Sequence, residues 1–205
     1  MHVHPKHLPA DECRAASTEA LVALASNQNP GDITNTAIAA PTDLPRGAFF
    51  RYFPSKDALF QAVVSRVEKR LLARIDRAAE STASPLAALA AMFMTHIDFV
   101  SEYPGAPRML SGELQRVGET LPKRLVQALT CQYNERLQRL LDAGKKLGEV
   151  DAQLDVQAAA VLYLATIQGL VTQSLLASDM ASIQRTAPGV FAIYQRSISA
   201  TRISE

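Results

Sequence analysis

The chain has 205 residues, of which 48% are apolar, and its formal net charge at pH 7 is +1. This length and apolar content predict a folded globular protein with one or two cores and exclude a disordered chain. The balanced charge excludes a protein that coats nucleic acid through bulk electrostatics, so any contact with a polyanion has to be local. The two cysteines, Cys13 and Cys131, provide neither a disulfide framework nor metal-ligand spacing, which is typical of a reducing compartment.

Residues 1–9 form a polar amino-terminal stretch without the apolar core of a signal peptide. No apolar run further along the chain is expected to span a bilayer, so we expect a cytoplasmic protein with no membrane partner. His2, His4 and His7 can bind a transition metal in principle, but a terminus that carries histidines usually does not. We therefore expect no metal and no cofactor.

About nine helices are expected, and no alternating pattern predicts a strand, so the predicted fold class is all-α. Residues 10–28 form the first helix, which ends in the turn-rich sequence NQNPGD. Thr34 caps a short second helix that stops at Pro41, because proline has no backbone N–H and excludes the preceding residue from helical geometry. Asp43 caps a third helix, which tolerates Pro45 in its first turn.

Longer helices follow. The first of them opens at the sequence PSK (residues 54–56) and continues to about residue 79, with apolar residues at three- and four-residue spacing. Proline-containing breaks at residues 81–85 and 104–107 separate it from the next two. We expect the remaining helices at residues 86–103, 108–117, 121–147, 156–177 and 182–203.

The stretch of residues 33–59, ITNTAIAAPTDLPRGAFFRYFPSKDAL, carries the most information about function. Two short helices this close together describe a helix-turn-helix, whose second helix enters the DNA major groove. Between Leu44 and Lys56 the chain holds Arg46 and Arg51 as well as Lys56 itself, and no acidic residue. This local positive charge suits one groove and its flanking phosphates.

This stretch resembles the amino-terminal region of the TetR family of transcriptional regulators. The family pattern is matched in register at Thr34, Ile38, Ala39, Leu44, Gly47, Phe49, Tyr52, Phe53, Ser55, Lys56 and Leu59. The resemblance implies a three-helix DNA-binding head at residues 9–56. It also implies a helical effector-binding and dimerisation body at residues 57–205.

By the resemblance, eight residues are candidates for DNA contact: Thr34, Arg46, Gly47, Ala48, Phe50, Arg51, Tyr52 and Lys56. Arg46 is the candidate for reading a base, because its fork can bond guanine O6 and N7 together. Ala48 can touch a thymine methyl, and Gly47 allows close approach of the backbone.

The other candidates match phosphate positions or depart from the family. Tyr52 and Lys56 correspond to positions that commonly hold phosphates, and Arg51 adds a cation beside them. Phe50 stands where the family usually has a tyrosine, so a hydroxyl contact is missing. Residues 41–43 replace a run that usually ends in glycine, so the turn between the two short helices can differ in angle.

A homodimer is expected, because one head reads only a few base pairs and useful specificity needs two heads on a two-fold site. The last two helices are the expected interface, with small residues for close approach and apolar residues for area. The interface candidates are Leu162, Ala165, Gly169, Leu170, Phe191, Tyr194 and Ile198. An ordinary buried core helix is the alternative interpretation of residues 156–177.

The resemblance also implies a small-molecule effector pocket among the helices of residues 86–173, mostly apolar with a few polar groups. The candidates for its lining are His96, Asp98, Tyr103, Arg108, Gln115, Tyr133 and Gln168. Each of them can instead be a satisfied core or surface residue.

Three functions remain open from the sequence. The leading hypothesis is a dimeric repressor that a small ligand releases from operator DNA by favouring one of two conformations. The second is a helical interaction protein with a degenerate head, which Pro41 and Phe50 favour. The third is a helical enzyme, which the lack of paired metal ligands and of a nucleophile–base constellation disfavours.

Overall fold

The computed structural model of the chain describes residues 10–40, 51–114 and 117–200, without the side chains of Ala10, Lys56 and Glu113. These residues form eight α-helices and no strand, which confirms the all-α prediction. The helices are α1 (Ala10–Ala25), α2 (Asn35–Ala39), α3 (Lys56–Glu80), α4 (Pro85–Glu102), α5 (Gly105–Leu114), α6 (Leu121–Lys146), α7 (Val156–Leu176) and α8 (Ala181–Ile198). The helix expected after Asp43 falls largely outside the described residues, although Arg51 and Tyr52 are helical.

Helix α5 starts three residues earlier than predicted. Its first residue is Gly105 rather than Arg108, so Pro107 lies inside the first turn. Proline is tolerated there because the N–H that it lacks would have no partner within the helix. The Gly105 N–H instead donates to Ser26 Oγ at 3.1 Å. Pro107 therefore lies in the first turn of α5, whereas the sequence-based prediction placed it in the break before the helix.

The chain divides into two compact units. Unit 1 comprises Met1–Val67 and Tyr103–Val126, and unit 2 comprises Glu68–Glu102 and Gln127–Glu205. The division falls inside α3 and inside α6, so each of these helices contributes to both units. The functional boundary predicted at residue 56 is a different division and stays a prediction.

Unit 1 is organised around α1, which packs against α2 and α5. Ala25, Ile38 and Leu59 are buried in its core, and Phe53 is only 4% exposed, as expected for a core residue. Across the unit, Arg66 on α3 pairs with Glu19 on α1 at 2.8 Å. The helix that follows the described part of the head is therefore tied to α1.

Unit 2 is built on α4, which packs against both α7 and α8. Its centre holds what we call the aromatic cluster: Phe93, His96, Tyr133, Tyr163, Phe191 and Tyr194. The ring centroids of Phe93 and Tyr163 are 5.3 Å apart in an edge-to-face arrangement, a favourable geometry for aromatic pairs. This cluster joins α4, α6, α7 and α8 into one core.

Polar contacts fix the outer helices of unit 2. Arg136 on α6 donates to both carboxylate oxygens of Asp76 on α3, from Nε at 2.6 Å and from Nη2 at 3.0 Å. The hydrogen bond to Asp76 raises the pKa of Arg136. Glu149 accepts from Ser84 Oγ at 2.8 Å and from the Leu86 N–H at 3.0 Å, which satisfies the amino end of α4.

Helix α7 is the one helix in the described part of the chain that is long and apolar enough to cross a membrane, by length and composition alone. The sequence-based expectation that no such run exists is therefore wrong. A helix in a protein core passes the same test, and one face of α7 is buried against α4 and α8. Its exposed face mixes Gln157, Gln168 and Gln173 with apolar residues, so length and composition alone do not show that α7 crosses a membrane.

Candidate functional site

The capping predicted at the amino end of the helix-turn-helix is confirmed. Thr34 has an extended backbone, and its Oγ1 accepts from the Ala37 N–H at 3.1 Å at the start of α2. The residue is exposed, and its hydroxyl proton is not used in this bond. Thr34 can therefore cap α2 and still donate to an outside acceptor.

The opening of α3 is confirmed in the same way. Ser55 Oγ accepts from the Ala58 N–H at 3.1 Å, so Ser55 caps the amino terminus of α3. Arg51 is exposed and Tyr52 is half-buried, just before this terminus. A helix amino terminus with a cation beside it is favourable for a phosphate group.

Four of the DNA-contact candidates, Arg46, Gly47, Ala48 and Phe50, lie outside the described residues, as do Pro41 and the rest of the predicted turn. The backbone of Lys56 begins α3, but its side chain is not described. Their roles in DNA contact stay predictions.

The helices that support this region are closely packed. A side chain at Gly105 would collide with the Val22 carbonyl oxygen of α1, so only glycine allows α5 to approach α1 at this point. Ser26 Oγ donates to Val22 O at 3.1 Å and also accepts from Gly105 N. Sequence reasoning treated this glycine only as part of a break between helices.

Among the effector candidates, His96 and Tyr133 come together in unit 2. Their ring centroids are 5.5 Å apart, and Tyr133 is 2% exposed. His96 Nδ1 and Tyr133 Oη are both buried and have no hydrogen-bond partner among the described residues. Burial lowers the pKa of His96 to about 4 and raises the pKa of Tyr133 above its ordinary value, so both side chains are neutral at pH 7.

The other five effector candidates are not gathered around this pair. Asp98 is exposed and accepts from Gln184 Nε2 at 3.0 Å, and Gln168 is exposed on α7. Tyr103 and Arg108 belong to unit 1, where both are half-buried and Arg108 Nε is buried without a partner in the described structure. Gln115 lies outside the described residues.

Four of the seven residues predicted for the dimer interface do not lie on the surface of unit 2. Leu170, Phe191, Tyr194 and Ile198 are buried in the core of unit 2 itself, because α8 packs its apolar face against α4 and α7. Tyr194 Oη is satisfied inside the unit, by donation to Ala159 O at 3.1 Å. These four side chains therefore lie behind the surface rather than on it.

Helix α7 nevertheless presents an apolar face to the outside. The exposed residues at helical spacing are Ala158, Val161, Leu162, Ala165, Gln168, Gly169, Thr172 and Leu176. None of them is charged, and Val161 and Leu162 are 53% and 51% exposed. Ile193 of α8 is also exposed. Of the predicted interface residues, Leu162, Ala165 and Gly169 lie on this exposed face, whereas Val161, Leu176 and Ile193 were not among the predicted residues.

Within the described residues, no group of three or more His, Cys, Asp or Glu side chains is close enough to hold a metal ion. The polar residues described above are helix caps, ion pairs and isolated buried groups. Side chains of these kinds can form hydrogen bonds to a ligand or to a phosphate group.

Residues 18–63 match the family described as bacterial regulatory proteins, tetR family. Nucleoid occlusion factor SlmA of Haemophilus ducreyi is 34% identical over 89 residues, which cover 43% of this chain and 44% of that protein. The chain thus spans about half the length of the first curated relatives that it matches. The SlmA protein of Marinomonas sp. is 28% identical over 158 residues, or 75% of this chain and 80% of that one.

A solved structure shows the same fold over nearly the whole chain. The transcriptional regulator FadR from Bacillus subtilis, in complex with stearoyl-CoA, superposes with a TM-score of 0.75. The match covers 91% of this chain and 97% of that one, at 17% sequence identity. At this identity the likeness concerns the fold alone.

Proposed function

We propose that this chain is a TetR-family regulator, and that it acts as a dimeric transcriptional repressor that a small-molecule effector releases from operator DNA. The observation that most directly supports this proposal is the family match at residues 18–63, which includes every residue from Thr34 to Lys56. We place its action in the cytoplasm, where operator DNA is accessible.

The proposed base reading rests on Arg46, Gly47 and Ala48. An arginine that bonds guanine O6 and N7 discriminates against other bases by about 1–3 kcal/mol. Ala48 supplies a methyl contact to thymine, and Gly47 removes the side chain that would keep the backbone away from the base edges. Phe50 contributes apolar contact in place of the family's tyrosine hydroxyl.

The proposed phosphate contacts come from the residues that flank the second helix of the head. Thr34 is exposed and its hydroxyl keeps a proton to donate. Arg51 is exposed beside the capped terminus of α3, where Tyr52 and Lys56 complete the set. Because the net charge of the chain is only +1, removal of one or two of these cations should weaken binding strongly.

The proposed dimer uses the exposed apolar face of α7, together with Ile193 of α8. The resemblance to TetR-family regulators implies a dimer, and two heads on one two-fold site supply the specificity that one head lacks. The face is uncharged and carries small residues, Ala165 and Gly169, that allow close approach of a partner helix. A partner subunit would also cover the apolar surface that unit 2 leaves exposed.

The proposed effector site lies in unit 2, around His96 and Tyr133. Both side chains hold a buried polar atom without a partner in the described structure, and aromatic rings surround them. The fold relative FadR is described in complex with stearoyl-CoA, so this architecture can hold a small molecule. An effector that binds one conformation of unit 2 more tightly than another would shift the population of DNA-binding dimers.

A gel-shift measurement with the DNA upstream of the protein's own gene tests the DNA-binding half of this proposal. Retardation is expected at low salt and should be lost when Arg46→Ala and Lys56→Ala are combined. The matched control combines Arg77→Ala and Lys69→Ala, which remove an exposed arginine and an exposed lysine from unit 2. Retardation that is absent, or equally lost in the control, would contradict the proposal.

A second candidate function is nucleoid occlusion, because the relatives from Haemophilus ducreyi and Marinomonas sp. are named nucleoid occlusion factors. Chromatin immunoprecipitation separates the two. A repressor should occupy one or a few promoter sites, whereas a factor that acts on the nucleoid should occupy sites distributed along the chromosome.

A further inference from the structure

Two buried polar atoms lie on contacting rings of α4 and α6 in unit 2. They are His96 Nδ1 and Tyr133 Oη, and neither has a hydrogen-bond partner in the part of the chain that the structure describes. The rings of His96 and Tyr133 are in contact, with 5.5 Å between their centroids. Buried polar groups in folded proteins are nearly always bonded, so a pair of unbonded ones in contact calls for an explanation.

Two other tyrosines of the aromatic cluster show the usual arrangement. Tyr163 donates to Leu89 O at 2.9 Å, and Tyr194 donates to Ala159 O at 3.1 Å. Burial raises the pKa of Tyr133, and the Tyr163 hydroxyl beside the Tyr133 hydroxyl lowers it as a hydrogen-bond partner would, although the two groups do not meet the distance and angle of a formed hydrogen bond. Tyr133 thus differs from its neighbours, because no acceptor among the described residues forms a well-placed hydrogen bond with its hydroxyl.

The electrostatic surroundings select against an ionised ligand. The charged residues near Tyr133 are Arg136 and Asp76, and each already satisfies the other through two hydrogen bonds. His96 is neutral at pH 7, so it offers no positive charge to an anion. A carboxylate or phosphate placed here would lose its hydration without gaining a counter-charge.

We propose that the effector is an uncharged aromatic molecule with a hydroxyl group, which bonds Tyr133 Oη and His96 Nδ1 and stacks against the neighbouring rings. A hydroxyl both donates and accepts, so it can satisfy the tyrosine proton and either tautomer of a neutral histidine. The adjacent rings of Phe93 and Tyr163 provide the apolar, aromatic surroundings. This inference rests on the proposed function, since it names the ligand class of the same effector site.

Three probes of similar shape test the ligand class by isothermal titration calorimetry on the full chain at pH 7, without DNA. They are 2-naphthol, the isosteric 2-methylnaphthalene and the anion 2-naphthoate. We expect 2-naphthol to bind at least about tenfold more tightly than either of the others, the effect of one well-made buried hydrogen bond. The inference is overturned if 2-naphthol does not bind, or if either other probe binds as tightly.

Single substitutions test whether 2-naphthol binds at Tyr133 and His96. Tyr133→Phe should weaken 2-naphthol about tenfold and leave 2-methylnaphthalene unchanged, and His96→Phe should act in the same direction. The matched control is Tyr194→Phe, which removes a hydroxyl that Ala159 O already satisfies and should leave the preference for 2-naphthol intact. Circular dichroism confirms that each variant is folded, and His96→Phe carries the test if Tyr133→Phe is not. An equal loss in Tyr194→Phe would overturn the assignment.

The calorimetric result is independent of the test of DNA binding, because the titration contains no DNA. A chain that binds 2-naphthol through Tyr133 but retards no DNA would contradict the repressor and keep the ligand class. A chain that retards DNA but shows no preference among the probes would keep the repressor and overturn the ligand class.

Discussion

The ring of His96 on α4 lies 5.5 Å from the ring of Tyr133 on α6, in the core of unit 2. Both rings carry a buried polar atom with no partner in the described structure. A histidine in this position is held neutral, and burial lowers its pKa to about 4 from the ordinary 6.5. The stability of the fold should therefore respond to acid.

We expect the wild-type chain to lose stability as the pH falls from about 6.5 to about 4. The unfolded chain binds a proton at His96 more tightly than the folded chain, so protonation favours unfolding. From the depression of the pKa to about 4, the loss should reach about 3 kcal/mol and then level off. Urea unfolding at a series of pH values measures it.

The matched control for this prediction is His96→Phe, which keeps a ring of similar size and removes the titrating group. Other groups titrate in both proteins, so the difference between the two pH profiles isolates His96. Parallel profiles between pH 4 and pH 6.5 would show that this histidine is not buried in the neutral form.

Gly105→Ala should destabilise unit 1 by about 1–3 kcal/mol, because the added methyl group would collide with the Val22 carbonyl of α1 and force α5 away. Gly112→Ala in the same helix is the control. Gly112 is exposed and an added methyl group would meet nothing within 4 Å, so alanine should stabilise α5 by about 0.5–1 kcal/mol through its higher helix propensity. Thermal unfolding followed by circular dichroism gives both values, and equal shifts would contradict the close packing of α1 and α5.

If the chain forms the proposed dimer, Ala165→Glu should convert it to a monomer, because the substitution places a charge in the middle of the uncharged exposed face of α7. Ala73→Glu makes the same change at an exposed position of α3 and should leave the assembly state unaltered. Sedimentation velocity distinguishes the two species. A dimer that survives Ala165→Glu would require a different interface.

Local chemistry made the fold largely predictable. Thr34 and Ser55 cap the helices predicted from them, since a side-chain oxygen that bonds a free N–H acts through residues only three positions away. Proline residues predicted the helix boundaries less reliably than the caps did, because the effect of a proline depends on its position in the helical turn. Pro107 lies inside the first turn of α5, and α8 includes Pro188.

The outward faces of α7 and α8 were harder to predict, for a reason that lies in their composition. Helix α7 has no charged residue, so its buried Leu164 and Ile167 cannot be told from its exposed Val161 and Leu162 by hydrophobic periodicity. Phe191 suited a dimer interface equally well on sequence grounds. Only its packing against Phe93, from a distant part of the chain, shows that it is core.

Contacts between distant helices also explain why His96 and Tyr133 could not be singled out from the other effector candidates by sequence alone. His96 and Tyr133 were two of seven effector candidates, and nothing in their own sequence neighbourhoods distinguishes them. Their significance comes from the contact between the two rings, which buries one polar atom of each, and from the absence of a hydrogen-bond partner for either atom in the described structure.

A reporter gene placed behind the protein's own upstream DNA measures most directly whether the chain represses transcription through its amino-terminal head. Reporter expression should fall when the wild-type chain is supplied, and should return to the level without it when Arg46→Ala and Lys56→Ala are combined. The combined Arg77→Ala and Lys69→Ala variant should repress like the wild type. Expression that is unchanged or raised by the wild-type chain would contradict the proposed repression.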